Sequence, residues 1–162
     1  MQIRRLTEGD WRAFRDIRLA ALRDEPTSFG SDADYEAKLG DDWFRQVLGG
    51  NRVFASFRDD AITGTAAWRQ NASPRLAHVG SVWGMYVAPP ERSRGTGKGL
   101  LDAVIADATP IVEALKLSVT AGNDSAVRLY ERCGFVLYGT EPRTLKLDGR
   151  YYDTELRLRW LR

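Results

Sequence analysis

The chain has 162 residues, 43% of them hydrophobic and 10% aromatic, which suits one domain spanning residues 1–162 and excludes wholesale disorder. Its formal net charge of +2 makes no electrostatic case for a nucleic-acid partner. Cys133 is the single cysteine, so an intramolecular disulfide and cysteine-rich metal clusters are both excluded.

The opening Met1–Glu8 carries no apolar run after its charges, unlike a signal peptide. No stretch approaches the roughly 18 apolar residues of a membrane span, so a cytoplasmic protein is expected. Residues 2–6 read as a short strand. Thr7 to Asp10 offer helix-capping chemistry, and Trp11, Phe14, Ile17, Ala21 and Leu22 recur at helical spacing. Pro26 stops that helix, and residues 26–31 form a loop. A second helix is predicted over 32–48, ended by Gly49-Gly50-Asn51. Residues 52–57 and 61–69 make a hairpin about the turn Arg58-Asp59-Asp60. Residues 76–87 read as a long central strand, in which Gly80 and Gly84 point to a bulge or a close backbone approach. From Gly97 the period turns helical, with Leu100, Leu101, Val104, Ile105 and Ala108 in one stripe up to Pro110. A strand over 115–120, a short helix over 123–133, and a strand from Phe135 towards Leu147 follow. Asp148-Gly149 suits a type I′ turn before the returning arm 151–160. The order is a mixed α/β arrangement without the regular alternation of a doubly wound sheet.

The chemistry concentrates in Val87-Ala88-Pro89-Pro90-Glu91-Arg92-Ser93-Arg94-Gly95-Thr96-Gly97-Lys98-Gly99-Leu100. A strand ends, a glycine-rich loop follows, and an amphipathic helix begins at once. Free N–H groups and the positive end of the helix dipole favour phosphate there. Glycine lets the backbone come close to a diphosphate, and Arg92, Arg94 and Lys98 add charge. A Walker A loop would need glycine at Arg92 and Ser or Thr at Gly99. A dinucleotide fingerprint would need a third glycine at Leu100.

The loop instead resembles that of the GNAT superfamily of N-acetyltransferases, whose signature is (Gln/Arg)-x-x-Gly-x-(Gly/Ala) after a Val-x-Pro strand end. Both Arg92-x-x-Gly95-x-Gly97 and Arg94-x-x-Gly97-x-Gly99 fit it. The first keeps Val87-x-Pro89 at the family's distance and puts Leu100-Leu101 on the buried stripe, so we adopt it. A second block, Asn123-x-x-Ala126-x-x-Leu129-Tyr130-x-x-Cys133-Gly134-Phe135, is similar to the family's Asn-x-x-Ala-x-x-Leu-Tyr-x-x-x-Gly-Phe. Asp148-Gly149-Arg150-Tyr151-Tyr152-Asp153 also resembles the tail of many bacterial members.

The resemblance implies an α/β fold of the α+β type. Its mixed, mostly antiparallel central sheet is flanked by helices and splayed at the central strand. It implies acetyl-CoA as cosubstrate without a metal, an amine-bearing acceptor, no nucleic-acid or membrane partner, and is compatible with a homodimer. Loop amides from Arg92, Ser93, Arg94, Gly95, Thr96, Gly97 and Lys98 would bind the pyrophosphate. Backbone around Met85, Tyr86 and Val87 would pair with the pantetheine arm. Tyr130 would be the general acid that protonates the leaving sulfur. Asn123 would either hydrogen-bond the cofactor arm or cap its own helix.

The general base is where the chain departs from the family. Ser118, Ser81 and Trp83 stand where members of different branches place an acid or a histidine. Asp153, Glu141 or a water chain are left to take the proton. His78, the only histidine, lies far from the cofactor end of its strand and reads as a surface or structural residue. Cys133 reads as a buried structural thiol. The acceptor wall is expected from residues 24–35 and 143–152, where Tyr35, Arg150, Tyr151 and Tyr152 could shape a pocket or simply pack a hairpin. The alternative function is a catalytically silent module of the same fold that senses acyl-CoA.

Overall fold

The computed structural model describes all 162 residues. Its strands are β1 (Gln2–Arg5), β2 (Arg52–Arg58), β3 (Ala61–Gln70), β4 (Val79–Val87), β5 (Ala114–Thr120), β6 (Val136–Leu147) and β7 (Arg150–Trp160). Its helices are α1 (Trp11–Asp24), α2 (Ala33–Ala37), α3 (Asp41–Gly50), α4 (Thr96–Ala108) and α5 (Asp124–Arg132). The seven strands form one sheet in the order β1-β2-β3-β4-β5-β7-β6, with every neighbouring pair antiparallel except β4 and β5. This is the mixed, mostly antiparallel sheet flanked by helices that the motifs implied.

Alternation along the strands sends side chains to two cores. Trp68, Leu115 and Leu117 pack beneath Leu100, Leu101 and Val104 of α4. Ala67, one residue from Trp68, turns to the opposite face and meets Phe14 of α1 with Phe44 and Leu48 of α3. Helices α1, α3 and α4 thus bury their apolar stripes.

The feature that makes the site is a failure of pairing. β4 and β5 are matched only at Val79–Ser81 against Ala114–Lys116; beyond that, the two strands have no shared ladder. A register shift between Thr65 and Ala67 on β3 lies opposite Gly84, which has φ of +63°. Thr65 Oγ1 donates to the Gly84 carbonyl at 2.9 Å and holds the irregularity. The bulge bends the far half of β4 away from β5. Gly80 serves differently: an added Cβ would stand 2.9 Å from both Trp68 and Leu115.

Two expectations need correction. The helix predicted over 32–48 is two helices: Asp32 caps the start of α2 by accepting from the Tyr35 N–H at 2.9 Å, and Gly40, with extended backbone, breaks the period and starts α3. The central strand starts at Val79 rather than residue 76, since Pro74–Leu76 winds into a 3-10 turn. Proline suits the first turn of such a helix and has no N–H for a ladder.

Candidate active site

The splay opens a groove of about 510 Å³ on the α4–α5 side of the gap between β4 and β5. Most residues expected to bind cofactor meet on its walls: Met85, Tyr86, Val87, Arg92, Ser93, Gly95, Gly97, Lys98 and Asn123, with Tyr130 among them. Arg94 and Thr96 are not on the wall. Arg94 is exposed outside it, and the Thr96 side chain is buried with an unpartnered hydroxyl, because helix α4 starts there and turns that position inward. Any part Thr96 plays in gripping a ligand is confined to main chain.

The two signature glycines have separate physical reasons. Gly95 caps α4 in the left-handed region at φ +82°, where a non-glycine residue is strained. At Gly97 an added Cβ would lie 3.0 Å from Leu129 and 3.2 Å from Met85, so the helix approaches β4 and α5 closely there. Gly99 faces the other way, towards Ile3 and Met1. The glycines at 95 and 97 therefore border the groove, and the one at 99 does not.

Charge in the groove is distributed differently from the sequence expectation. Arg92 donates to Asp24 Oδ2 at 2.6 Å and to the Val87 carbonyl at 2.9 Å, and lies 3.1 Å from Glu25. Lys98 is paired with Asp102 one turn along α4 at 2.7 Å, and that hydrogen bond raises its pKa. Arg128 and Arg132 of α5 also line the groove, and neither has a carboxylate partner. These two free cations escaped the sequence reading. Their Arg-x-x-x-Arg spacing, one turn apart on either side of Tyr130, was the available signal.

Asn123 caps α5: its Oδ1 accepts from the Ala126 N–H at 3.3 Å and from Ser125 Oγ at 3.2 Å. Its amide donates to Ser28 Oγ at 3.3 Å, and Thr120 Oγ1 donates to the Thr27 carbonyl at 2.6 Å. The loop over residues 26–31 is thereby fastened across the end of β5. Ser28 and Phe29 of this loop reach the groove, and both fall within the span 24–35 from which an acceptor wall was expected.

Tyr130 projects from α5 into the splay, packed edge-on against Phe135 with ring centroids 6.1 Å apart. Burial pushes its phenol well above the ordinary tyrosine range, with the neighbouring Cys133 adding to the shift and no hydrogen bond offsetting it. The hydroxyl therefore holds its proton throughout neutral pH. Tyr130 also lines a second cleft of about 260 Å³, on the α1 side, beside Arg18, Phe29, Trp83 and Ser118. The two openings meet at this residue.

In that second cleft, Arg18 is tied to buried Glu36 by two hydrogen bonds of 2.7 and 2.9 Å and lies 5.9 Å from the Trp83 ring. The Trp83 indole N–H is buried without a partner. Ser118 lines the cleft, whereas Ser81 is held in the paired part of β4 and does not reach it. His78 is exposed at the end of β4 remote from Met85–Val87, where its carbonyl receives the Glu113 N–H at 2.7 Å. Burial raises the pKa of the Cys133 thiol at the end of α5. Tyr35 and Tyr151 are exposed and line no cleft described above; Tyr151 packs under Arg143 and Lys146 at 5.3 and 5.2 Å.

No group of histidine, cysteine and acidic residues is arranged to hold a metal ion, and no helix is long and apolar enough to cross a membrane. Acetyl-CoA fits what is present: an unpaired stretch of β4 backbone, a glycine cradle at a helix N-terminus, and free cations at the mouth.

Comparison with known proteins agrees with this geometry. The profile of the acetyltransferase (GNAT) family matches residues 11–135. A mycothiol acetyltransferase of Propionibacterium freudenreichii subsp. shermanii is 33% identical over 110 residues, covering 67% of this chain and 34% of that protein. The chain thus matches about a third of that relative's length. The fold is shared with smu.2055 of Streptococcus mutans UA159 (TM-score 0.87, 19% identity, 100% of both chains). It is also shared with a GNAT-family acetyltransferase of Streptococcus pneumoniae (0.87, 22%, 98% of both). A third likeness is to yncA of Salmonella typhimurium, solved with its cofactor acetyl-CoA (0.81, 21%, 99% of this chain and 94% of that one). Sequence profile and splayed sheet lead to one family, and the chain belongs to the GNAT acetyltransferases.

Proposed function

We propose that the chain moves the acetyl group of acetyl-CoA to a primary amine by direct attack, with Tyr130 as the acid. The observation that carries this reading is the position of Tyr130 where the cofactor groove and the α1-side cleft meet. Bound acetyl-CoA supplies a thioester, whose sulfur leaves when the amine takes the acetyl group. Tyr130 keeps a proton at its hydroxyl for that sulfur, and the burial that raises its pKa guarantees the protonated form. The main chain of Gly95 to Lys98 and the free guanidiniums of Arg128 and Arg132 hold the phosphates. The unpaired edge of β4 at Met85–Val87 receives the pantetheine arm as an added strand would be received. Amines enter from the α1 side, past Ser28, Phe29 and Trp83.

The test is thiol release from acetyl-CoA across a panel: an alanyl peptide, spermidine, kanamycin, methionine, and the mycothiol-type compound suggested by the relative's name. Turnover with at least one amine, lost in Tyr130→Phe, is the expected result. Binding of acetyl-CoA without turnover for any amine would favour a silent acyl-CoA sensor. Unchanged acetyl-CoA affinity in Gly97→Glu would remove the loop from the cofactor site.

A further inference from the structure

An amine arrives largely as an ammonium, since unperturbed amines titrate between about 8 and 10. It must lose a proton before its nitrogen can attack, and Ser81, Trp83 and Ser118 cannot take it. Asp153 is occupied, because its Oδ1 accepts the Arg143 N–H at 2.9 Å and caps the bulge of β6.

Glu141 is placed differently. Thr120 of β5 pairs with Thr154 of β7, which pairs with Glu141 of β6. Directly paired residues share a sheet face, and two strand spacings put Glu141 about 10 Å from Thr120, backbone to backbone. That face is the one roofed by residues 26–31, through the bond from Thr120 to Thr27. Between them lies a cleft of about 240 Å³ lined by Ser28, Ser118, Thr120, Thr154 and Glu141. It shares Ser28, Phe29, Ser118, Val119 and Thr120 with the cofactor groove, and Ser28, Phe29, Gly30 and Ser118 with the α1-side cleft by which amines enter, so the three spaces adjoin.

The carboxylates separate cleanly. Only Glu25 and Glu141 line the groove or its two neighbouring clefts. Glu25 faces Arg92 at 3.1 Å, while Glu141 has neither a cation nor a hydrogen-bond donor. Most charged groups on the elements around it are engaged elsewhere: Lys116 lies 5.6 Å over the Tyr138 ring, Arg143 and Lys146 lie 5.3 and 5.2 Å over Tyr151, and Glu155 is bound to Arg157 at 2.7 Å on the opposite face, while Arg150 pairs with Leu147 at the hairpin end, four residues along β7 from Thr154. The loop over 26–31 brings no charge. A lone carboxylate in a hydroxyl-lined cleft is matched to a cation that can give up a proton.

We propose that Glu141 docks the acceptor's ammonium and takes its proton, directly or through a water held by the cleft hydroxyls. This rests on the acetyl-transfer reading above. The proton count closes. The nitrogen loses two protons in becoming an amide: one passes to Glu141 and on to solvent, and the other replaces the proton that Tyr130 gives to sulfur.

The test compares the wild-type chain with Glu141→Gln, using the panel amine of highest kcat/KM and its hydroxyl analogue. Glu141 is exposed and bonded to nothing, so the variant should fold, and its melting temperature checks this. At pH 7 the variant should lose about a hundredfold in kcat/KM for the amine, the scale of general-base catalysis, with KM for acetyl-CoA unchanged. The gap should close as pH rises towards the amine's own pKa, where free amine no longer needs a base. In calorimetry on the CoA-loaded protein, the variant should bind the ammonium at least about tenfold more weakly and the hydroxyl analogue as well as wild type does. A kcat/KM within about twofold of wild type at pH 7, or a loss equal at every pH, overturns the assignment of Glu141 alone. A wild-type chain that binds acetyl-CoA yet acetylates no amine overturns this and the transfer reading together.

Discussion

Arg92 and Asp24 stand 68 positions apart in sequence and are joined by a hydrogen bond of 2.6 Å, so the end of α1 is fastened to the start of the glycine-rich loop. The same carboxylate oxygen accepts from the Tyr86 hydroxyl at 3.2 Å, and the Arg92 Nε donates to the Val87 carbonyl at 2.9 Å. Tyr86 feels this neighbourhood: burial raises its pKa first, and the Asp24 charge adds to it. One guanidinium therefore sets where β4 ends and where the loop starts.

That clamp predicts a positioning effect. Asp24 does not itself line the groove, so Asp24→Asn alters it only by loosening Arg92. Because the pair is substantially exposed, stability should fall by no more than about 1 kcal/mol. Acetyl-CoA should nevertheless bind about tenfold more weakly in calorimetry, since a loop that must be ordered on binding costs affinity. Equal affinity in the variant would show that the clamp is irrelevant to the cradle.

The free arginines of α5 predict a division of labour among the cations. Replacing both Arg128 and Arg132 with Gln should weaken acetyl-CoA binding about tenfold and flatten its dependence on salt. Lys98→Gln should matter less, because Asp102 already neutralises that charge. The comparison is a titration at two salt concentrations, and a larger loss from Lys98→Gln than from the double variant would refute the assignment.

Tyr130→Phe keeps the ring that packs on Phe135 and removes only the proton donor. We expect kcat to fall about a hundredfold with KM for acetyl-CoA little changed, the pattern of a lost acid rather than lost binding. The raised pKa also fixes a sign for alkaline stability. With the folded value above the unfolded one, the phenol's contribution is complete below the ordinary tyrosine value of about 10 and is lost as pH rises beyond it. Melting curves taken above that pH should decline more steeply in the wild type than in the variant.

At the acid end, Asp10 is the informative group. The hydrogen bond from Arg4 is the main cause of its lowered pKa; the Thr7 N–H and hydroxyl assist, desolvation opposes, and the result is about 2. A depressed carboxylate stabilises the fold fully above its unfolded value of about 4, and loses that contribution as pH falls through the folded value. Because the pair with Arg4 is open to solvent, Asp10→Asn should cost no more than about 1 kcal/mol at neutral pH, and the deficit should shrink as pH falls from 4 to 2. A denaturant titration at each pH reads this directly, and a deficit independent of pH would point to packing instead.

How much was legible beforehand follows from the range of each interaction. Helix stripes, the turn at Asp148-Gly149, the glycine loop and Tyr130 depend on neighbours within a few residues, so residue order alone displays them. Gly84 was legible as an irregularity, but the sequence could not say that β4 would swing away from β5 there. The split between α2 and α3 was missed because one apolar period runs through Gly40, whose extended backbone ends one helix and begins the next.

By itself, then, the sequence determined the family-like loop, the short helix that carries Tyr130 and the order of elements. Each is a matter of local spacing and intrinsic conformational preference. The tertiary structure decided which charges are spent and which are free. Arg92, conspicuous in the motif, is consumed by Asp24. Arg128, Arg132 and Glu141, inconspicuous in the chain, are left unpaired beside open space. A charge acts through what stands a few ångströms away, and across a folded sheet that neighbour is set by strand order and splay, not by position along the chain.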